Sequence, residues 1–375
     1  MALNASKLRR QESLMRRLHP DLENLSIAVM PLNEAPLEDI AELIDLAWRR
    51  AYGKRIRIAY SPAFLRYCMG PNPVHGFALT ARADSVLQGT VLALPLEVLY
   101  RQQPHAAVLT TGLCVSAAWE KRGLLELLML RQGLALSDAG IPWSFHWRAA
   151  KGVKGRGAGD ILAHAAASRL YARPLRLGRT AAAGGLGKKE TLGMGALHLA
   201  YAARTCLDRL PKGCGIQEIT VDNAGAAVTL LKETIRPDGL SLAYSPERLA
   251  WDCGFDEGGI RAAGWVLMKN GTPHALARGY VNPVSETDRY FALDHVVFAP
   301  SLGQNARRAF LTRVERAIER RFGCFAVLMT GTACEAPPEQ LGYRAVKTYF
   351  WGAAESGVMP DLSPGDLDGL PLPLR

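Results

Sequence analysis

The sequence lacks the features of a membrane-spanning or disulfide-bonded protein. None of its apolar runs is long enough to cross a bilayer, and its first residues, MALNASKLRRQESLMRR, contain no apolar signal-peptide core. The 375 residues include only seven cysteines, an odd number, and none of them belongs to a CxxC pair. This usage argues against a zinc site and against a disulfide framework. We therefore expect a cytoplasmic protein with reduced thiols, no bound metal and no membrane span.

A nucleotide-type phosphate loop is also missing. The glycine-rich segment GVKGRGAG (152–159) does not fit the GxxxxGK[ST] pattern, and no strong strand leads into it. The surrounding stretch 148–200 is rich in glycine and alanine and is either a loop over a site or a linker. Within it, DILAHAAASRLYARPL (160–175) has a helix-like pattern.

Acidic residues are too few to balance the basic ones. The chain has 35 Asp and Glu against 45 Lys and Arg, a formal net charge of +10, and the excess is clustered at 9–17, 49–57 and 148–179. Such clusters suit an anionic ligand such as a nucleotide cofactor, or a nucleic acid partner such as DNA. Solubility alone would also explain a charge excess, so composition leaves these explanations open.

The chain is organised around residues 109–147, whose pattern predicts a strand, a helix and a second strand. Residues 108–115 are apolar and β-prone, as in a buried strand. Leucines then recur at helical spacing over 124–134 and give one broad apolar face. Gly140 suits a left-handed helix end, and 141–147 form the next strand.

The turn between the first strand and the helix carries the chemistry. A helix start presents backbone N–H groups that have no partner within the helix, and the helix dipole favours an anion there. Lys121 and Arg122 add positive charge, and Gly123 lets a ligand approach the backbone closely. The pattern fits a pyrophosphate cradle, but an ordinary crossover with a solvated basic turn has the same local sequence.

A segment of the first half recurs in the second half. IAYSPAFLRYCMG (58–70) matches LAYSPERLAWDCG (242–254) at a constant offset of 184 residues. In each copy Ser-Pro predicts a helix start, with serine as the N-cap and proline at the first helical position. Two unrelated caps would explain the Ser-Pro pair but not the flanking apolar and aromatic positions in register. Because similar predicted strands and helices surround each copy, the repeat indicates a duplicated domain.

The order of these elements predicts an α/β fold with a mixed sheet, built from two similar domains that form one continuous body. We place a basic N-terminal arm, helical or loose, at residues 1–25, an N-terminal domain at 26–200 and a C-terminal domain at 201–375. The second domain ends in the predicted strand RAVKTYFWG (344–352). The proline-rich tail after it either lies extended on the surface or enters a cleft.

Five segments, taken in order, resemble a known family. They are IAYSPAFLRYCMGPNP (58–73), GTVLALPLEVLY (89–100), GLCVSAAWEKRGLLELLM (112–129), SRLYARPL (168–175) and EQLGYRAVKTYFWG (339–352). The chain resembles the Gcn5-related N-acyltransferases (GNAT), and more narrowly the eukaryotic glycylpeptide N-myristoyltransferases. The resemblance reaches across most of the chain, and it implies two tandem GNAT-like domains, an acyl-CoA co-substrate and acyl transfer to an amine.

The resemblance also implies roles for individual residues. In that family the backbone N–H groups at the positions of Gly112 and Leu113 form the oxyanion hole at the thioester carbonyl, which needs no particular side chain. The implied cofactor-binding residues are Cys114, Val115, Lys121, Arg122, Gly123, Leu124 and Leu125. Glu120 and Leu125 depart from the family pattern, where a Gln or Arg and a small residue are usual. In the N-myristoyltransferases the chain's C-terminal carboxylate is the base, a role that would fall to Arg375.

Ends of core strands supply other candidates for the general base. Glu97 ends one such strand and His146 another, and Asp294 and His295 are further candidates in the second half. Each has a simpler explanation, such as a solvated strand end or a hydrogen-bonded histidine, so geometry must decide. Cys114, in the central strand, is expected to be a small core residue and not a nucleophile.

Together these patterns predict a monomeric N-acyltransferase that uses acyl-CoA, with acetyl or longer acyl chains. The C-terminal domain is expected to shape the pocket for the acceptor, which is a small-molecule, peptide or base-linked amine. Two alternatives stay open: a related transferase acting on an amine of a modified DNA or RNA base, and a non-catalytic module that binds acyl-CoA or nucleic acid. Acyl chain length is not readable, because residues that line an apolar channel look the same as core residues.

Overall fold

The computed structural model describes residues 5–52, 58–149, 164–184, 187–205, 208–235, 238–334, 336–355, 362, 367 and 370–373. The helices of these residues are α1 (Ala5–Leu18), α2 (Leu37–Tyr52), α3 (Pro62–Met69), α4 (Leu124–Asp138), α5 (Leu177–Gly184), α6 (Lys188–Thr205), α7 (Ala224–Glu233), α8 (Pro246–Gly254) and α9 (Gln304–Phe322). The strands are β1 (Ser26–Pro31), β2 (Phe77–Ala83), β3 (Val86–Tyr100), β4 (Gln103–Val115), β5 (Trp143–Ala149), β6 (His164–Pro174), β7 (Cys214–Glu218), β8 (Leu240–Leu242), β9 (Asp256–Glu257), β10 (Ile260–Lys269), β11 (Thr272–Pro283), β12 (Arg289–Phe298), β13 (Ala326–Thr330) and β14 (Arg344–Glu355).

One continuous sheet runs through the described part of the chain. Its strand order is β1-β2-β3-β4-β5-β14-β6-β13-β12-β11-β10-β7, with β8 added beside β3 and β9 beside β10. The pairs β4–β5 and β12–β13 are parallel, and the other pairs along the sheet are antiparallel. The predicted α/β fold with a mixed sheet is confirmed.

The two ends of the sheet exchange strands at its centre. β14, from the end of the chain, lies between β5 and β6, whereas β6, from the first half, lies between β14 and β13. Each half thus supplies a strand that extends the pairing of the other half. The boundary between residues 200 and 201 stays a prediction, since the sheet itself does not divide there.

The repeated Ser-Pro segments form helix starts, as predicted. Ser61 accepts a hydrogen bond from the N–H of Phe64, and Ser245 accepts one from the N–H of Arg248, each at 3.1 Å. These bonds satisfy backbone donors that a helix start leaves without partners. The two repeats also touch, because the Trp251 indole donates to the carbonyl oxygen of Tyr67 at 3.0 Å. The duplicated segments therefore lie against each other where the halves meet.

One predicted element is wrong. Residues 160–175 were expected to be helical, but 164–174 form β6, and 160–163 lie outside the described residues. β6 is paired on both sides, with β13 and with β14. The alanine-rich composition favours a helix, but pairing with two neighbouring strands satisfies the backbone hydrogen bonds of this segment. Tertiary context therefore overrides local propensity.

Both terminal segments pack against the body of the protein. Leu8 of α1 is buried against Leu130 and Leu134 of α4, so the described part of the arm is a docked helix. In the tail, Leu370 and Leu372 are buried in the core that underlies α2 and α3. Of the two arrangements left open for the tail, the described residues adopt the one inside a cleft.

At the bulge between β11 and β12 there is no room for a side chain at Gly279. The register shifts at Gly279, and a Cβ added there would overlap the carbonyl group of Ala292. We expect Gly279→Ala to destabilise the protein by about 2 kcal/mol or more, since neither backbone can move away cheaply. Gly215→Ala, in edge strand β7 with open space at its Cβ position, is the matched control. Equal denaturant midpoints for the two variants would contradict this account.

Candidate functional site

A β-bulge interrupts the central strand of the first half. On β4, Gly112 and Leu113 both lie opposite Val91 of β3, because the register shifts between Thr90 and Leu92. Gly112 has a left-handed φ of 63°, and a Cβ there would lie 2.7 Å from the Ile44 methyl. An extra residue in a bulge is left out of the ladder, so its backbone N–H can serve another acceptor. The bulge coincides with the predicted oxyanion-hole residues.

The strands beside this bulge separate at the same level. β4 and β5 run parallel only from Ala107 with Trp143 to Thr110 with His146. Beyond that pair β4 continues to Val115 without β5, while β5 stays paired along its whole length with β14 on its other side. The opening between the two strands therefore begins two residues before Gly112, so the bulge lies where β4 no longer pairs with β5.

The turn after β4 leads the backbone into the start of α4. Lys121 and Gly123 have left-handed φ angles of 62° and 77°. The first backbone bond of the helix runs from the N–H of Leu127 to the carbonyl of Gly123. The N–H groups of the first three residues of α4, 124–126, therefore have no partner within the helix, as an anion site requires.

Charged groups from two other elements surround this turn. Arg50, in the last turn of α2, donates to the Val115 carbonyl at 3.2 Å and to Glu120 at 3.1 Å. The acidic residue that departs from the family pattern is thus paired with a cation from another helix. Arg122 lies 3.5 Å from Asp21, so the turn also contacts the segment that follows α1.

The N-terminal segment packs directly on Gly123. A Cβ at this position would lie 2.6 Å from the His19 ring and 2.9 Å from the Met15 side chain. A larger residue at Gly123 would meet both the left-handed φ and these contacts. Close packing by the N-terminal segment therefore constrains the turn in addition to any ligand.

His146 lies at the opening and is linked to buried polar groups. Its Nε2 shares a hydrogen bond of 2.9 Å with Ser144, which shares one of 2.7 Å with Thr110. Gln132 of α4 donates to Thr110, and the Ser144, Thr110 and Gln132 side chains are buried. The imidazole is half-buried at the last parallel pair of β4 and β5, so it borders both the opening and this polar chain.

The remaining predicted binding residues line the strand end and the helix start. Cys114, Val115 and Leu124 are buried, whereas the Leu125 side chain is exposed. Burial raises the pKa of the Cys114 thiol to about 12, with Arg50 opposing the shift. This thiol stays protonated near neutral pH and is a poor nucleophile.

Two of the candidate bases, Glu97 and Asp294, have surroundings unlike that of His146. Glu97 is exposed on β3, six residues beyond the position opposite the bulge, which corresponds to about 20 Å along the strand. The Asp294 carboxylate is buried in the second half, 3.8 Å from Arg278, and accepts a hydrogen bond from Tyr67. Glu97 therefore cannot reach a thioester carbonyl held at Gly112, and the Asp294 carboxylate is engaged with Arg278 and Tyr67.

The second half contains the corresponding arrangement in a closed form. β12 and β13 run parallel from Tyr290 with Ala326 to Leu293 with Met329, and β12 has its own irregularity at Asp294. Beyond that pair a bridge joins Val296 to Cys334, so the chain after β13 closes the gap. The first half therefore has the more open of the two strand pairs.

Solved structures share this architecture at low sequence identity. Saccharomyces cerevisiae N-myristoyltransferase with bound myristoyl-CoA matches with a TM-score of 0.64 and 14% identity, covering 88% of this chain and 82% of that chain. A tandem GNAT protein from the clavulanic acid biosynthesis pathway matches with a TM-score of 0.56 and 12% identity, covering 90% of this chain and 99% of that chain. The chain has a tandem GNAT fold.

A further neighbour of this fold is the GCN5-related N-acetyltransferase from Anabaena variabilis, with a TM-score of 0.51, 9% identity, and coverage of 88% of this chain and 72% of that chain. No family model and no curated protein matches the sequence. The predicted tandem GNAT fold is confirmed, and identities this low extend the likeness to the fold alone.

The C-terminal tail reaches the opening of this GNAT fold. The Trp147 indole, on the first β5 residue beyond the parallel pair, donates to the carbonyl of Pro373 at 2.9 Å. Thr332 of the second half donates to the carbonyl of Leu372 at 3.4 Å. The tail thus bridges the two halves beside the opening. Arg375, the other candidate base, lies outside the described residues.

The described residues contain neither a metal-binding group of side chains nor a membrane-spanning helix. Among the residues that the structure describes, no group of three histidine, cysteine or acidic side chains is placed to hold a metal ion. No described helix is both long enough and apolar enough to cross a membrane.

Sequence reasoning missed Arg50, His19 and Trp147 as neighbours of the site. Arg50 belongs to a basic cluster that was recognised, but its contact with Glu120 spans 70 residues of sequence. His19 reaches Gly123 only because α1 docks on α4. No local periodicity encodes such contacts, and the acidic residue Glu120 in a basic turn was the available signal that a cation lies nearby.

The buried imidazole of His295 predicts a loss of stability in acid. Burial and the nearby Arg278 guanidinium lower the pKa of His295 from 6.5 to about 3, so between these values the folded protein binds fewer protons than the unfolded chain. The free energy of unfolding therefore falls as pH drops below 6.5, by about 2 kcal/mol at pH 5 from this group.

Denaturant unfolding at pH 7 and pH 5 checks this expectation. His295→Phe should lose about 2 kcal/mol less than the wild type, while His274→Phe, which changes a half-buried histidine of β11, should behave like the wild type. An equal loss in the His295→Phe variant and the wild type would show that this imidazole does not titrate as described.

Proposed function

We propose that the protein is an acyl-CoA-dependent N-acyltransferase, which moves an acyl group from a CoA thioester to an acceptor amine. The observation that supports it most is the combination of the Gly112–Leu113 bulge with the basic, left-handed turn before α4, beside the separation of β4 and β5. A solved neighbour of the same fold, the Saccharomyces cerevisiae N-myristoyltransferase, holds myristoyl-CoA. Acetyl-CoA and longer acyl-CoA both remain candidate substrates.

The backbone supplies the binding and the electrostatic stabilisation in this proposal. The pyrophosphate lies against the turn 120–123 and the N–H groups at the start of α4, with Lys121 and Arg122 as cations. The strand end at Cys114 and Val115 and the first residues of α4, Leu124 and Leu125, border the rest of the CoA. The N–H groups of the bulge stabilise the oxyanion that develops on the thioester carbonyl.

His146 is our candidate for the general base. A thioester is already activated, so the protein has to position the amine, accept its proton and stabilise the oxyanion. The carbon–nitrogen bond forms as the carbon–sulfur bond breaks, and the proton leaves the amine and ends on the departing thiolate. The bonds from His146 to Ser144 and on to Thr110 orient the ring at the opening. Glu97 has no part in this mechanism because of its distance.

The acceptor amine enters from the second half, beside the tail. A small amine, a peptide and a base-linked amine all fit this proposal. We prefer this proposal to the nucleic acid alternative, which rests on the excess of basic residues alone. A non-catalytic role is less well supported because the bulge, the opening and His146 occur together.

Charge reversal at the turn tests the cofactor site. We expect calorimetric titration to give one acyl-CoA bound per chain, and Lys121→Glu/Arg122→Glu to weaken binding about tenfold or more through lost charge-assisted contacts. Arg9→Glu/Arg10→Glu makes the same charge change on α1, where Arg9 lies near Asp138 at the far end of α4. Equal weakening by both double variants would mean that only net charge matters, and the site would be rejected.

Replacement of His146 tests the catalytic step. His146→Ala should lower kcat about 100-fold with the KM for acyl-CoA unchanged, since a positioned base typically contributes this much. His105→Ala, which removes a histidine in edge-to-face contact with Trp143 at 5.3 Å between ring centroids, is the control and should retain activity. A rise in KM for acyl-CoA with unchanged kcat would identify His146 as a binding residue and not the base.

A further inference from the structure

A small cavity lies in the second half, next to the tail. It has a volume of about 40 Å³ and is lined by residues that include Ser241, Tyr244, His295, Thr332 and Pro371. A volume of this size holds about three water-sized positions, which corresponds to a group of two or three heavy atoms. The cavity is thus a subsite for a small group and not for a whole CoA.

The wall of the cavity contains an imidazole without a described hydrogen bond. His295 is only 8% exposed, and its Nδ1 is buried with no hydrogen-bond partner in the described structure. Its ring stacks on Tyr244, with 5.6 Å between the centroids. A buried polar group without a partner costs free energy, so a ligand that completes the hydrogen bonding of this wall is favoured.

The polar groups of the wall are neutral. Among the described residues that line the cavity are hydroxyls and one imidazole but no carboxylate, lysine or arginine. Arg278, a buried cation beside Tyr244, is already engaged by the Tyr244 hydroxyl and by Asp252 at 3.1 Å. A charged group placed here would lose its hydration without gaining a counterion, whereas a hydroxyl would find donors and acceptors.

The cavity is close to the proposed transfer centre. Pro371 lines the cavity, and two residues later the Pro373 carbonyl binds the Trp147 indole at the β4–β5 opening. Two residues of chain span at most about 7 Å. A group in the cavity and an amine at the opening can therefore belong to one small acceptor.

We infer that this cavity is a specificity pocket for the acceptor, which takes a small neutral hydroxyl-bearing side group and orients it against His295. The inference rests on the proposed function, since it assigns the acceptor to an amine of this class. It adds a ligand preference that the fold and the acyl-CoA site do not imply.

Binding of a matched amide series tests the pocket without requiring acyl transfer. Threonine amide, its isostere valine amide, and aspartate amide are titrated in the presence of CoA and followed by NMR. We expect threonine amide to bind about tenfold more tightly than valine amide, because the isostere leaves polar groups of the wall unpaired, and aspartate amide to bind most weakly.

The variants distinguish the pocket from general effects. His295→Phe keeps a stacked ring but removes both nitrogens, and it should reduce the preference for threonine amide over valine amide to within about twofold. His274→Phe, whose ring does not line the cavity, should keep the full preference. Equal affinities in the wild type, a preference that survives in His295→Phe, or no binding of any amide would each overturn the inference.

Titration of acetyl-CoA and myristoyl-CoA into the same preparations separates the two proposals. Unchanged acyl-CoA binding in His295→Phe shows that the variant is folded, so that a lost preference is local to the pocket. If the amide series fails while acyl-CoA binds, the pocket assignment is wrong and the cofactor site stands. If neither acyl-CoA binds, the proposed function itself fails, and the pocket assignment that rests on it fails too.

Discussion

The exchange of strands at the centre of the sheet is the constraint on which the rest of the structure depends. β14 pairs with β5 and β6 pairs with β13, so backbone hydrogen bonds join the two halves of the chain into one sheet. Because β14 occupies the outer side of β5, the opening toward β4 is left on the inner side. The tail that follows β14 then reaches both halves and contacts Trp147. Sheet pairing thus sets the position of the opening before any side chain contributes.

The candidate site is built from departures from regular structure. A regular antiparallel ladder with β3 would use the backbone groups of alternate residues of β4, whereas the bulge at Gly112 and Leu113 leaves one residue out of the ladder. After the left-handed turn at Lys121 and Gly123, the first N–H groups of α4 add donors that have no partner within the helix. The acidic residue at the turn is paired with Arg50, so its charge opposes an anion less than the sequence alone indicates. The second half keeps the parallel pair but fills the corresponding gap with its own chain near Cys334.

The sequence predicted local features well and long-range contacts poorly. The Ser61 and Ser245 caps followed from residue type and spacing, because capping involves groups three residues apart. The segment 164–174 was misassigned, because its strand conformation depends on partners more than 150 residues away. At the site, Gly112 and the basic turn were found from pattern and resemblance. His19, Arg50 and the cavity around His295 were not, since each depends on how separate elements pack.

The strand exchange also sets the order in which the strands of the sheet can pair during synthesis. When the first half leaves the ribosome, β5 and β6 are available, but β13 and β14 have not yet been made. β6 then has neither of its partners, and β5 exposes an unpaired edge, which is a surface prone to association with other chains. Closure of the sheet has to wait for contacts of high sequence separation, which form slowly. We therefore expect a nascent chain of this architecture to depend on a chaperone until its final strand emerges.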